Sequence, residues 1–157
     1  MENVGSVVPK NTMDGKDVVR YGSRKIPCFL GVYQLTDLNA LNIVKPNVSF
    51  IVIEQGHAVA VYITDISIDL FDPLGISNSR IFSPICFFLK NHLPCKKLNI
   101  NSKIQSEKSS NCAKFCLIYL YLRCKKFSFQ ETVRLFSCKI SENDEIVADL
   151  FKKYFSR

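Results

Sequence analysis

KIQSEKSSNCAKFCLIYLYLRC, residues 103–124, changes character at Cys112. Before it runs a polar stretch of small residues; after it, Phe115 to Leu122 is apolar on every side. A helix that is apolar all round has no solvent face and belongs inside a domain. The loop therefore delivers a thiol to the first turn of a buried helix that begins near Asn111. Unpaired backbone N–H groups and the positive end of the helix dipole gather there, and both favour a thiolate. Ser109, Ser110 and Asn111 are small enough to let a substrate approach closely. Two readings of Cys112 stand: a nucleophile at a helix N-terminus, or a core cysteine beside Cys116.

The pattern extends outward in both directions. Downstream, Ser128 with Glu131 has the spacing of a capping box, and Ser141 with Asp144 has the same spacing with Asp in place of Glu. Two further helices are predicted. The second runs through EIVADLFKKYF (145–155), with Ile146, Val147, Leu150, Phe151 and Tyr154 on one face. Upstream, KKLNINSKIQ (96–105) predicts a strand. RIFSPICFFLKNH (80–92) predicts a helix capped from Ser77–Ser79, with Pro84 in its first turn and Pro94 closing the segment. SFIVIEQ (49–55) fits a buried strand. AVAVYITD (58–65) and ISIDLFD (66–72) follow as two strands joined by a turn at Thr64-Asp65. In the second, Ile66, Ile68 and Leu70 fall on one face. DPLG (72–75) then turns the chain. Regular patterning begins at IPCFLGVY (26–33). Residues 1–22 lack apolar periodicity and are read as loosely ordered. Strands flanked by helices, with a helical final third, make an α+β domain over residues 23–157: a central mixed or antiparallel sheet with Cys112 heading its buried central helix.

Composition narrows the class. A chain of 157 residues suits one domain, expected to be monomeric. No apolar run reaches the roughly 18–20 residues that a membrane span needs, and the polar N-terminus lacks the apolar core of a signal peptide. The formal charge of +7 either solubilises the surface or favours an anionic partner such as nucleic acid. The basic residues sit mostly in pairs (Arg24-Lys25, Lys96-Lys97, Lys125-Lys126, Lys152-Lys153), so nucleic-acid contact would be led by the phosphate backbone. Seven cysteines, an odd number with no Cys-x-x-Cys pair, argue against a disulfide framework. The two histidines, His57 and His92, lie far apart, so no zinc site is expected.

A cysteine nucleophile needs a base and a group to orient it. His57 lies between two apolar strands, where burial fixes a ring; it is the better base, or a satisfied strand-end histidine. His92, at a predicted helix end, suits a charge partner for the helix C-terminus. Asp72 ends the strand after the one His57 begins. If those strands form a hairpin, Asp72 lies beside His57 and can hold its tautomer; otherwise it is a turn residue before Pro73. Gln105 can donate a side-chain N–H to a developing oxyanion beside the backbone N–H of Cys112, or it is a polar strand residue.

Several stretches together resemble one family. CFLGVY is similar to an FLGTY-type segment near the start of the adenain family, the adenovirus maturation proteases. GHAVAVYITDISIDLFDPLG resembles that family's block of histidine, hairpin, acidic residue, Pro and Gly. IQSEKSSNCAKFC resembles its Gln, six residues, nucleophilic Cys, three residues, Cys, and LFKKYFSR its C-terminal helix end. The blocks occur in the same order and span Ile26 to Arg157. The resemblance implies an adenain- and Ulp-type cysteine protease fold related to papain, and a viral endopeptidase that processes virion precursor polypeptides. It implies Cys112 as nucleophile, His57 as base, Asp72 where the family has Glu, and Gln105 in the oxyanion hole. It further implies activation by DNA and by a short viral peptide, with Cys95 as the candidate for a disulfide to that peptide. No cofactor is implied for the chemistry itself. The implied location is the host nucleus and the virion, in an adenovirus-related virus or a virus-like element. Two departures stand out: Ala58 replaces a Trp after the histidine, and Ala113 a Gly after the nucleophile. Alternatives are a protease of the same clan that removes ubiquitin-like modifiers, and an inactive relative that binds DNA or capsid.

Overall fold

Helix α3 (Cys112–Cys124) lies at the centre of the molecule, and Phe115 through Leu120 are all fully buried along it. The computed structural model describes residues 13–42, 46–75, 81–106 and 108–156. Within them, α1 (Gly15–Lys25) leads into β1 (Phe29–Tyr33) and a 3-10 turn (Leu35–Ala40). Strands β2 (Val48–Glu54), β3 (His57–Ile63) and β4 (Ser67–Phe71) follow, then α2 (Phe82–His92) and β5 (Lys97–Ile100). After α3 come α4 (Phe129–Val133) and α5 (Asn143–Phe155). The fold is α+β, as the sequence predicts.

The strands form one mixed sheet in sequential order. The pairs β2–β3 and β3–β4 are antiparallel; β1 and β5 join parallel at the edges. Period-two alternation divides the core into two layers. Ile51, Ala58, Ala60 and Phe71 pack against α3 with α1 and α5. Phe50, Val52, Val59, Val61, Ile68 and Leu70 face α2 and the 3-10 turn. Both faces are covered, which is why all of β4 is buried.

The sequence reading needs correction at four places. Residues 15–22 are helical, not loosely ordered: Asp14 accepts the Asp17 N–H at 2.9 Å, and Val18 and Gly22 are buried. Residues 1–12 and the cap expected at Ser77–Ser79 lie outside the described residues. Ile66 does not share a face with Ile68 and Leu70; it sits in the turn, 79% exposed, while the Thr64 hydroxyl accepts the Ser67 N–H. The strand expected over 96–105 ends at Ile100, because the Asn101 side chain there bonds the backbone of Asp72. The Ser141–Asp144 box does not form. Ser141 lies in a 3-10 turn, and α5 starts at Asn143 without a side-chain cap. At α4 the predicted cap holds, with Ser128 Oγ accepting the Glu131 N–H at 3.0 Å.

Asp69 on β4 carries a buried polar network. It accepts from Tyr119 Oη at 2.6 Å, Arg123 Nε at 2.6 Å and Asn99 Nδ2 at 2.9 Å. Burial works against the Arg123 charge, and the Asp69 carboxylate more than restores it, holding the guanidinium above its ordinary range. Removing the carboxylate leaves a half-buried cation and a buried phenol without their acceptor. Asp69→Ala is expected to destabilise the fold by about 3–5 kcal/mol, against about 1 kcal/mol for Tyr119→Phe. Urea unfolding of the two variants checks the difference; equal, small losses would remove the network from the stability argument.

Candidate active site

Two tight turns bring the candidate groups together at one end of the sheet. Gln55 and Gly56 connect β2 to β3 with φ of +50° and +79°. A two-residue hairpin turn with both φ positive matches the twist of the strands and favours Gly. His57 is thereby the first residue of β3, paired across the strands with Glu54. At the far end of β4, Asp72-Pro73-Leu74-Gly75 closes on a Gly75 N–H to Asp72 carbonyl bond of 2.9 Å. Gly75 has φ +76°, and a Cβ there would lie 3.0 Å from the Lys103 backbone nitrogen. Both conditions call for glycine. The Pro73 carbonyl in turn accepts the Ile104 and Gln105 N–H groups, each at 2.9 Å. The turn that carries Asp72 thus also anchors the loop after β5 that carries Gln105.

His57 Nε2 lies 2.7 Å from Asp72 Oδ1, and that oxygen also accepts the Leu74 N–H at 3.0 Å. The Asp72 backbone is clamped from the other side: its N–H donates to Asn101 Oδ1 at 2.9 Å, and its carbonyl accepts from Asn101 Nδ2 at 2.7 Å. With Nε2 on the carboxylate, Nδ1 is the ring nitrogen left free, and Cys112 lies near enough to the ring to raise its pKa. Burial works against a charged imidazole, but the bonds to Asp72 and Cys112 and the charge of both outweigh it. The His57 pKa is pushed up to about 9. The arrangement favours a charged imidazole at neutral pH.

Cys112 is the first residue of α3, 8% exposed, with Asn111 at the N-cap and its Sγ 3.4 Å from the Gly56 carbonyl. Cys116, one turn on, is wholly buried. Burial, followed by the charges of Cys112 and Asp72, pushes its thiol well up. The two thiols therefore differ: one at a helix mouth beside an imidazole, the other sealed in the core. Ala58 and Ala113 are both buried in the cluster that contains Cys112.

Gln105 is buried, and its Nε2 donates to the Ser109 carbonyl at 3.0 Å. An amide nitrogen has two N–H groups, so one remains for another acceptor. The candidate groups His57, Asp72 and Cys112 are thus brought together, and Gln105 is tied to the loop that leads into Cys112. Cys95 lies elsewhere, exposed in the turn between α2 and β5 with a free thiol. His92 bonds the Phe88 carbonyl through Nδ1 at 2.9 Å and stacks near Phe88, at the C-terminal end of α2. Among the described residues no group of three or more His, Cys, Asp or Glu side chains could hold a metal ion, and no helix is long and apolar enough to cross a membrane. Sequence reasoning missed Asn101. Its partner is 29 residues away, and nothing in the local pattern announces it.

No protein-family profile and no curated protein matches the sequence. The fold, however, matches solved structures. A protease of ASFV superposes with a TM-score of 0.64 at 16% identity, over 93% of this chain and 67% of that one. The central domain of the uncharacterized Lpg1148 protein from Legionella pneumophila gives 0.59 at 15% identity, over 91% and 97%. The SUMO protease Ulp1, with its catalytic cysteine oxidised to a sulfenic acid, gives 0.50 at 11% identity, over 95% and 81%. The chain has a Ulp1-type cysteine protease fold. On that fold, β2 and β3 with their turn, the Asp72 turn and the head of α3 meet at one end of the sheet, and every candidate group except Cys95 lies there.

Proposed function

We propose that this protein is a cysteine peptidase that cleaves polypeptides through a Cys112–His57–Asp72 triad with Gln105 in the oxyanion hole. The observation that carries the reading is His57 bonded to Asp72 at 2.7 Å, with the Cys112 sulfur 3.4 Å from the carbonyl of Gly56, the residue before His57. Cys112 Sγ attacks the peptide carbonyl carbon, and the oxyanion that forms rests against the Cys112 N–H and the free N–H of Gln105. The imidazolium gives its proton to the leaving amine, and water, deprotonated by the same ring, then releases the acyl group. Asp72 holds Nε2–H and favours the charged ring throughout. A cleft of ≈830 Å³ opens at the same end of the sheet, with Val19, Val32, Tyr33 and Ile53 as apolar lining and Asp14, Lys16 and Asp37 as charged lining. His57 and Cys112 do not line it. Ile53 adjoins Glu54, the cross-strand partner of His57, so an extended peptide can run from the cleft to the sulfur.

Processing of viral precursor polypeptides is the preferred substrate reading. Similarity to the ASFV protease supports it, as does the order of adenain-like blocks in the sequence. DNA, drawn by the +7 charge, and a peptide joined at exposed Cys95 are the proposed activators. Similarity to the SUMO protease Ulp1 favours a second reading, release of ubiquitin-like modifiers. Iodoacetamide at pH 6, followed by mass spectrometry, is expected to label Cys112 first among the seven cysteines. The labelled and unlabelled protein is then assayed on peptides with Gly beside the scissile bond and on a Gly-Gly-linked SUMO fusion. Peptide cleavage supports the endopeptidase; cleavage of the fusion alone supports the deconjugating enzyme. Slow labelling of Cys112 with neither substrate cut would refute both.

A further inference from the structure

The side chain of Asp144, one residue into α5, reaches away from its own helix. Its Oδ1 accepts from Ser109 Oγ at 2.5 Å and from Asn111 Nδ2 at 3.1 Å, across 35 and 33 residues of sequence. Each partner leads to one half of the proposed oxyanion hole. The Ser109 carbonyl takes one N–H of Gln105 at 3.0 Å and so fixes the plane of that amide and the direction of its other N–H. Asn111 is the N-cap of α3, and its carbonyl accepts the Phe115 N–H at 3.0 Å; the Cys112 N–H follows it directly in the chain. Ser109 Oγ also accepts the Asn111 N–H at 3.2 Å, closing the loop on itself. The neighbouring Asn143, fully buried, donates to the Ile104 carbonyl at 2.7 Å and is itself held by the Ser137 backbone. The head of α5 thus grips the segment that carries Gln105 at its start, through Asn143, and at its end, through Asp144.

We infer that Asp144 is a positioning residue for the oxyanion hole, acting through Ser109 on Gln105 and through Asn111 on the Cys112 N–H. The inference rests on the proposed peptidase reading. Asp144 touches neither sulfur nor imidazole, so its loss should leave the nucleophile reactive and spoil only steps that build negative charge on a carbonyl oxygen.

Two reagents separate these effects. Iodoacetamide alkylates a thiolate by direct displacement of iodide and forms no oxyanion. p-Nitrophenyl acetate acylates it through a tetrahedral oxyanion and expels p-nitrophenolate. In Asp144→Ala, acylation of Cys112, located by mass spectrometry, is expected to slow about 10- to 100-fold, below the loss for deleting a donor outright. Alkylation should stay within about threefold of wild type. Asp144→Asn keeps an oxygen acceptor for both donors and should restore acylation to within about threefold. Ser109→Ala should resemble Asp144→Ala, and the double variant should be little worse than either. Circular dichroism checks folding; should Asp144→Ala unfold, Ser109→Ala and Asp144→Asn carry the test. The inference is overturned if acylation barely changes, if both rates fall together, or if Asp144→Asn is no better than Asp144→Ala. A wild-type Cys112 no faster with either reagent than exposed Cys28, Cys95 and Cys138 would instead overturn the nucleophile assignment, and this inference with it.

Discussion

Replacing Cys112 by alanine is expected to abolish polypeptide hydrolysis, a loss on the order of 10⁴–10⁶-fold, with the fold retained. The side chain sits at the head of the helix, at the edge of the buried cluster, and its hydrogen bond is to the Gly56 carbonyl, next to His57. Truncating it removes the bond-forming atom at little packing cost. The matched control is Cys116→Ala, which deletes an equally sized group from the sealed interior. That variant should lose about 1 kcal/mol of stability and keep most of its activity. A second readout tests the same geometry without any substrate. Part of what pushes His57 up to about 9 comes from Cys112, so the ring should titrate lower in Cys112→Ala. With two histidines in the chain, the proton spectrum is simple to assign. Turnover surviving in Cys112→Ala would move the chemistry to another residue.

Asp72→Asn is expected to lower the His57 pKa from about 9 towards or below the ordinary 6.5, and to slow hydrolysis about 100-fold or more. The Leu74 N–H and His57 share Asp72 Oδ1, so the amide of the variant is held with its oxygen in the same place. The tautomer survives and the charge does not. Asp72 Oδ2 is buried without a hydrogen-bond partner, and the Asn nitrogen would take that position with nothing to receive its protons, which adds a stability cost of about 1–3 kcal/mol. The wild-type pH dependence has a definite sign. A ring whose pKa is raised on folding contributes stability in full below about 6.5, and that stability is lost as pH climbs through about 9. Up to about 3 kcal/mol is at stake, since the ring is only 17% exposed and the pair titrates as a unit. Stability measured from pH 6 to 9.5 should fall in the wild type and stay flat in the variant. A His57 that still titrates near 9 in Asp72→Asn would remove the carboxylate from the mechanism.

What could be read from sequence is what local pattern encodes. The switch from polar loop to uniformly apolar helix at Cys112 is a change in composition. The nearness of His57 and Asp72 follows from two adjacent strands and one turn. α1 was hidden by its polar make-up, because only Val18 and Gly22 are buried along it. Ile66 misled because alternation carries no mark of where a turn ends and a strand begins. Asn101 and Asp144 were beyond reach for a different reason: each takes backbone or loop partners about 30 residues away, and a hydrogen bond across such a span leaves no periodicity. Asp144 even carried a false local signal, since its spacing from Ser141 suggested a cap that the distant Ser109 pre-empts.

The grip of α5 on the loop before Cys112 has a consequence for biosynthesis. As the chain leaves the ribosome, its sulfur, imidazole and carboxylate are all made well before residues 143 and 144. Until those two dock, the segment from Ile104 to Asn111 is held at its start by the Pro73 carbonyl alone and lacks the contacts that α5 adds at both ends. On the proposed chemistry, a nascent polypeptide can therefore present Cys112 before the contacts that would stabilise an oxyanion are fixed, and competence arrives only with α5.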